Sequence, residues 1–302
     1  MPRREAPQAG ERRVLRSVDS MNQLDAASSG PLVSADGSWA RIQEVLASWA
    51  RAIRSWEIWV HLGLQDIKNR YKRSLVGPLW IAISLAVMVV GMSFLFGRLF
   101  SQQGGRYVLY LTIGMMLWSL ISSSITDGGY AFLSAESYIR QIPQAKQIYV
   151  LRCTVVNVVV FSFGLPVFVA AALYYGELRA SLPWALVGLA LVLLACVGHS
   201  TVMAYLSVPF RDLPPASASA LQVVYFLTPI LYPIDLMKQR GLEWFLHVNP
   251  LFYLLEVVRH PILEGGPAPA AIYAGALAYT ALVWAVGLLV AAALDRRIPA
   301  LL

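Results

Sequence analysis

The sequence predicts an all-α polytopic membrane protein, and three observations carry that prediction. Of its 302 residues 58% are hydrophobic and only 14% are charged, against about 25% charged in an ordinary soluble domain. Six apolar runs, uncharged but for Arg152 near the start of the third, reach the length of about 20 residues that crosses a hydrocarbon core about 30 Å thick. A tryptophan-rich amphipathic stretch precedes them. Water is not the main solvent of such a chain.

Residues 1–38 are polar, basic and rich in small side chains. They lack the apolar core of a signal peptide and hold too little apolar surface to offset the entropy of ordering, so a disordered cytosolic tail is expected. Residues 39–78 follow as an interface helix and a cytosolic intake segment, and 79–302 as the transmembrane domain. Within 39–60, Trp39, Ile42, Leu46, Trp49, Ile53 and Trp56 recur at spacings of three and four, while Arg41, Glu44, Arg51 and Arg54 fall elsewhere. That pattern predicts an amphipathic helix lying in the inner membrane interface.

The six runs are 79–97, 107–126, 148–175, 184–206, 217–234 and 270–293. An even number puts both termini on one side. With that side cytosolic, 18 of the 24 Lys and Arg residues lie on inner segments, the bias of the positive-inside rule. Between the second and third runs, Tyr138, Ile139, Arg140, Ile142 and Pro143 form a partly amphipathic loop whose apolar residues either pack under the bundle or dock on a partner. The fifth run is unusual, because Pro229 and Pro233 each remove a backbone hydrogen bond that lipid cannot replace. Beyond it, 241–266 is apolar but interrupted at Asn249-Pro250 and carries Glu243, Glu256 and Arg259. Two half-length re-entrant helices dipping in from the outer face fit it better than another span.

The chemistry that is missing narrows the function. None of the four lysines sits in a GxxxxGK[ST] loop, so no ATP site is expected in this chain. The histidines and cysteines show no metal-ligand spacing; Cys153 and Cys196 read as small buried hydrophobes, and no metal, cofactor or catalytic residue is assigned. A proton relay is not expected either, since the runs hold almost no ionisable residues. If the chain transports something, the motor is separate. A membrane glycosyl- or phospho-transferase would need paired carboxylates, and Asp127, Glu136 and Asp212 stand apart in sequence.

At 65–80 the chain reads QDIKNRYKRSLVGPLW, which resembles the hallmark segment of ABC-2 type permeases exporting O-antigen, teichoic acid and related glycans. Asp66, Lys68, Arg70, Tyr71, Lys72, Ser74, Gly77 and Trp80 match that pattern. Gln65 and Val76 replace its usual Arg and Leu. FRDLPP at 210–215, TPILYP at 228–233 and NPLFYLLEVVR at 249–259 are similar to three further family segments in the same order. The resemblance covers most of 56–300.

It implies six transmembrane helices of ABC-2 exporter type in the bacterial inner membrane, and a homodimer working with two cytosolic nucleotide-binding ATPase subunits that carry ATP and magnesium. The implied substrate is a polyprenyl-linked polysaccharide, O-antigen ahead of capsular polysaccharide or teichoic acid, and no nucleic acid is involved. The loop near 134–147 becomes a coupling helix on the ATPase. Lys68, Arg70, Tyr71, Lys72 and Arg73, with only Asp66 opposing their charge, are candidates to meet membrane lipids and the carrier pyrophosphate. Aromatic side chains suit a path for sugar rings, which makes Trp80, Phe94, Trp118, Tyr225, Phe226 and Tyr232 its candidate lining. Pro229, Pro233, Trp244, Asn249, Pro250 and Arg259 are the candidate outer gate.

Overall fold

Long apolar runs free of Pro and charge fold as helices because hydrocarbon leaves every backbone group to find its partner inside its own segment. The computed structural model describes residues 35–72, 74, 76–100, 104–142, 144–176 and 181–302. Helices α1 (Ala35–Arg54) and α2 (Trp56–Tyr71) lead into α3 (Leu79–Leu99), α4 (Gly105–Tyr130), a short α5 (Glu136–Gln141), then α6 (Gln147–Ser162) and α7 (Leu165–Tyr175). After these come α8 (Leu182–Ser207), α9 (Leu213–Leu227), the short α10 (Ile234–Gln239) and α11 (Glu243–Val248), α12 (Pro250–Glu264) and α13 (Ala270–Leu294). No strand occurs among the described residues.

Five helical segments are long and apolar enough to cross a membrane: α3, α4, α6 with α7, α8, and α13 continued to Leu301. They lie where the sequence puts its first four and its sixth run. The fifth run differs. Its helix begins at Leu213 with Pro214 and Pro215 in the first turn, where a missing N–H costs nothing, and stops at Leu227 after only 15 residues. Thr228 is extended (φ −98°, ψ 139°), the conformation a following proline imposes on its neighbour. The helix expected over 217–234 is therefore displaced and cut short by Pro229. The third run is also interrupted, at Phe163-Gly164, by Pro166 in the first turn of α7.

From Ile42 onward the chain forms one compact unit. Its central post is α4, whose apolar window is 67% buried whereas that of α3 is 6% buried. Neighbouring helices reach it by close approach. A Cβ at Gly128 would sit 2.6 Å from the Cα of Ser200 on α8, and one at Gly188 would strike the carbonyl of Val257 on α12. The end of the bundle that carries α1, α5 and α2 is here the base, and the end that carries α10 to α12 the crown.

The base is tied by a chain of polar side chains. Ser48 Oγ donates to Gln147 Oε1 (2.7 Å), Gln147 Nε2 to the Tyr205 hydroxyl (3.2 Å), and that hydroxyl to Asp295 (2.5 Å), which also accepts from Lys146 Nζ (2.9 Å). Four helix ends meet through this chain. On α1, Val45, Ser48, Trp49 and Ala52 are buried against the bundle, Trp49 lying 5.2 Å from the Trp284 ring. The apolar stripe read from sequence thus splits: Trp49 is core, while Trp39, Leu46, Ile53 and Trp56 stay exposed. At 100° per residue Trp39, Leu46 and Ile53 lie beside the packed set and away from Arg51 and Arg54, while Trp56 opens α2. The helix also starts at Ala35, inside the segment expected as tail; residues 1–34 lie outside the described residues.

Gly188 supplies a direct check on the packing. Gly188→Leu forces α8 and α12 apart and is expected to lower stability by about 1–3 kcal/mol, read as a lower unfolding temperature of the detergent-purified protein. Gly91→Leu is the control, since no atom lies within 4 Å of the Cβ it would add.

Candidate functional site

At the base, α2 carries Lys68, Arg70 and Lys72 with exposed side chains and Tyr71 half-buried; Arg73 lies outside the described residues. Asp66, read from sequence as the carboxylate opposing these cations, is committed elsewhere. It accepts a two-pronged pair from Arg152 of α6 (2.5 and 2.7 Å), the geometry in which guanidinium and carboxylate fit best. The three cations form no salt bridge among the described residues. Arg70 also lines a cavity of about 370 Å3 with Asp127, Tyr130 and Tyr149. Asp127 and Asp66, separate in sequence, share that cavity; the Arg152 pair occupies Asp66, and Glu136 pairs with Arg140 (2.9 Å). A free pair of carboxylates of the kind a transferase needs is not assembled there.

The loop after α4 divides between core and surface. Ile139 is buried in the basal core together with Ala135, Ile298 and Leu302, whereas Tyr138 and Ile142 are 49% and 42% exposed. One apolar residue anchors α5 and two face outward, with Arg140 exposed between them. Pro143 lies outside the described residues.

Between α4 and α9 runs a groove of about 390 Å3 lined by Trp118, Tyr225 and Phe226 and by Ser119, Ser122, Ser123 and Thr126. Trp118 and Tyr225 meet edge to face at 5.5 Å. A second groove, of about 590 Å3, shares Trp118 and Tyr225 and adds Trp80 from α3. Four of the six aromatic residues singled out in the sequence are thus brought together. Phe94 is not among them: it lies in the last turns of α3, with the Arg98 guanidinium 4.3 Å over its ring. Tyr232 sits in the break after α9, its hydroxyl donating to Leu227 O (3.0 Å).

The crown is built around the carbonyls that the prolines set free. Pro229 O lies 2.9 Å from the Tyr110 hydroxyl and 2.9 Å from Arg259 Nη1. Leu231 O accepts from the Tyr107 hydroxyl at 2.6 Å, and Tyr232 O lies 2.9 Å from Tyr110. Asn249 caps α12 by accepting from Leu251 N (3.0 Å) and reaches back to Leu227 O (3.2 Å) and Thr228 Oγ1 (2.9 Å). Arg259, counted from sequence among the outer charges, is 1% exposed. Its Nη1 also meets Glu256 Oε1 at 2.9 Å, and its guanidinium lies 3.8 Å over the Tyr110 ring. Trp244, by contrast, is 62% exposed on α11.

Sequence reading missed Tyr107, Tyr110 and Glu256, which complete the crown, and the hydroxyl residues of the α4 groove. Signals for both exist. Freed carbonyls demand donors somewhere in the membrane, and a Ser122-Ser123-Ser124 run inside a span is unusual enough to flag.

Five long apolar segments around a central helix, with a proline break clamped from three sides and an uncharged aromatic groove, define a multi-pass membrane protein built for passage. Comparison with known proteins supplies the particular family. The family model of the ABC-2 type transporter matches residues 59–263, more than half of the chain, so this chain belongs to the ABC-2 type transporter family and is a transport membrane subunit. The chain is similar to an O-antigen export system permease protein RfbA of Klebsiella pneumoniae, 27% identical over 205 residues that cover 67% of this chain and 78% of that protein. A protein of the same name from Myxococcus xanthus is 23% identical over 201 residues, covering 65% and 76%.

The buried pair at the crown can be tested by thermal unfolding. Arg259→Ala leaves the buried Glu256 without its partner and Pro229 O with the Tyr110 hydroxyl alone, and a loss of about 3–5 kcal/mol is expected. The double variant Arg259→Met with Glu256→Leu should recover a large part of it, because no lone charge stays buried.

Proposed function

We propose that this chain is the channel-forming subunit of an exporter that moves lipid-linked O-antigen across the bacterial inner membrane. The observation that carries the reading is the α4–α9 groove, where aromatic faces and hydroxyls stand together without charge. Sugar rings offer C–H faces for stacking and hydroxyls for hydrogen bonds, so such a wall holds a glycan weakly and lets it slide. The relatives' names point to the same cargo.

The rest of the machine follows from that reading. Two copies of the chain face each other across α3 and α9, the apolar helices least covered by their own bundle, and enclose the path. Two ATPase subunits dock beneath, where Tyr138, Arg140 and Ile142 face outward and Ile139 passes the push into the basal core. Both termini are cytosolic, and the segment before the interface helix is a cytosolic tail. Lys68, Arg70 and Lys72, free of salt bridges among the described residues, meet lipid headgroups and the carrier pyrophosphate, with Tyr71 and Arg73 beside them. On the outer side α9 is the sixth crossing, and α11 with α12 forms a re-entrant pair closing the gate at Pro229, Pro233, Asn249 and Pro250.

Three measurements test these parts. Tyr138→Ala with Ile142→Ala removes half-exposed surface outside the basal core, and is expected to abolish copurification of the ATPase while changing the unfolding temperature little. Trp244→Cys, in a background with Cys153→Ala and Cys196→Ala, is expected to stop glycan export when oxidised across the dimer and to restore it on reduction; export that continues in the cross-linked dimer overturns the gate. Arg70→Glu is expected to cut export about tenfold or more through loss of a charge-assisted phosphate contact, with ATPase docking intact.

A further inference from the structure

We propose that the groove between α4 and α9 selects uncharged glycan chains and rejects chains whose repeating units carry carboxylates or phosphodiesters. The inference rests on the reading of this groove as the glycan path, and it names a substrate class within that reading.

Three features of the wall support it. The first is the absence of compensation for charge: no charged side chain among the described residues lines this groove or the adjoining one that holds Trp80. Arg70 and Arg152 open instead into a separate cavity, shared with Asp66 and Asp127. An anion leaving water for a low-dielectric groove loses its hydration and gains no cation in return.

The second feature is the state of the hydroxyls on α4. Ser122 Oγ donates to Ser119 O (3.3 Å), Ser123 Oγ to Leu120 O (3.2 Å), and Thr126 Oγ1 to Ser122 O (3.1 Å). These three hydroxyl hydrogens are spent on their own helix, and lone pairs are what they leave for the groove. Lone pairs accept hydrogen bonds from sugar hydroxyls and repel carboxylate and phosphate oxygens. The third feature is that the donors present are neutral: the Trp118 indole, the Ser119 and Tyr225 hydroxyls and the Gln222 amide. Neutral donors hold a hydroxyl as readily as water does, but they replace little of the hydration of an ion. The charge of the cargo is then confined to the single pyrophosphate of the carrier lipid, which meets α2 and crosses once per chain, whereas a charged repeating unit would meet the groove again and again.

The test uses the full complex with its ATPase in cells that lack their own exporter, supplied with either a neutral or a uronate-containing lipid-linked glycan. Surface display of each is measured by labelled lectin. The expected result is display of the neutral glycan at about tenfold or more above the uronate glycan. Ser122→Arg is expected to narrow that ratio, and Gln222→Lys, on the opposite wall, is the second variant should the first fail to insert. Equal display of both glycans by the unaltered protein overturns the inference and leaves the export reading standing. A ratio that neither variant changes also overturns it, because the discrimination then lies in another part of the complex. Display of neither glycan by an assembled, ATP-hydrolysing complex overturns the export reading and the inference together.

Discussion

Everything at the crown depends on one constraint: a helix broken by proline inside a membrane leaves carbonyl oxygens that lipid cannot satisfy, each worth several kcal/mol if left alone. Pro229 and Pro233 create that debt at the end of α9. It is met by hydroxyls and a guanidinium from distant parts of the chain, Tyr107 and Tyr110 on α4 and Arg259 on α12, with the Asn249 amide beside them. These donors reach the break only if α4 runs through the centre and α12 lies against it. The Arg259 guanidinium leaves no room for a Cβ at Gly114, so even that glycine belongs to the same solution. Arg259 could not stay buried without Glu256 one turn away, and the pair is held where Tyr110 covers it.

The base solves a different problem by related means. There the polar groups are helix ends and not a break, and the chain from Ser48 through Gln147, Tyr205 and Asp295 to Lys146 joins α1, α6, α8 and α13. Arg152 and Asp66 fasten α2 to α6 in the same region. Ile139 of α5 lies in the same buried cluster as Tyr205, the central member of that chain. Between base and crown the contacts are mostly apolar and steric, which transmit position without fixing direction.

Much of this was legible in the sequence, and what was not has a common cause. Hydropathy and length placed α3, α4, α8 and α13 within a few residues, because those properties are local. Pro229 was correctly read as a break, but it ended the helix earlier than expected, since a proline also governs the residue before it. The Trp49 and Trp56 stripe looked uniform by periodicity and proved divided between protein and exposed surface. Arg259 was read as an outer charge because nothing near it in sequence shows that its partners Tyr110 and Pro229 are 149 and 30 positions away. Asp66 was assigned to the cations beside it on α2 for the same reason, while its partner lay 86 residues on. The aromatic residues of the groove were identified singly; that Trp118 and Tyr225 touch, and that a row of hydroxyls runs beside them, required the packing of α4 on α9.

The brevity of α9 reaches past the protein. Fifteen residues rise about 22 Å, whereas the hydrocarbon that the five longer segments can cross is about 30 Å thick. On the flank where α9 is exposed, either the acyl chains draw in toward the helix or other protein takes their place. Where acyl chains cover that flank, bilayer thickness acts on α9 before it acts on the longer helices, and the length of the surrounding fatty acids becomes a setting of the groove that α9 helps to build.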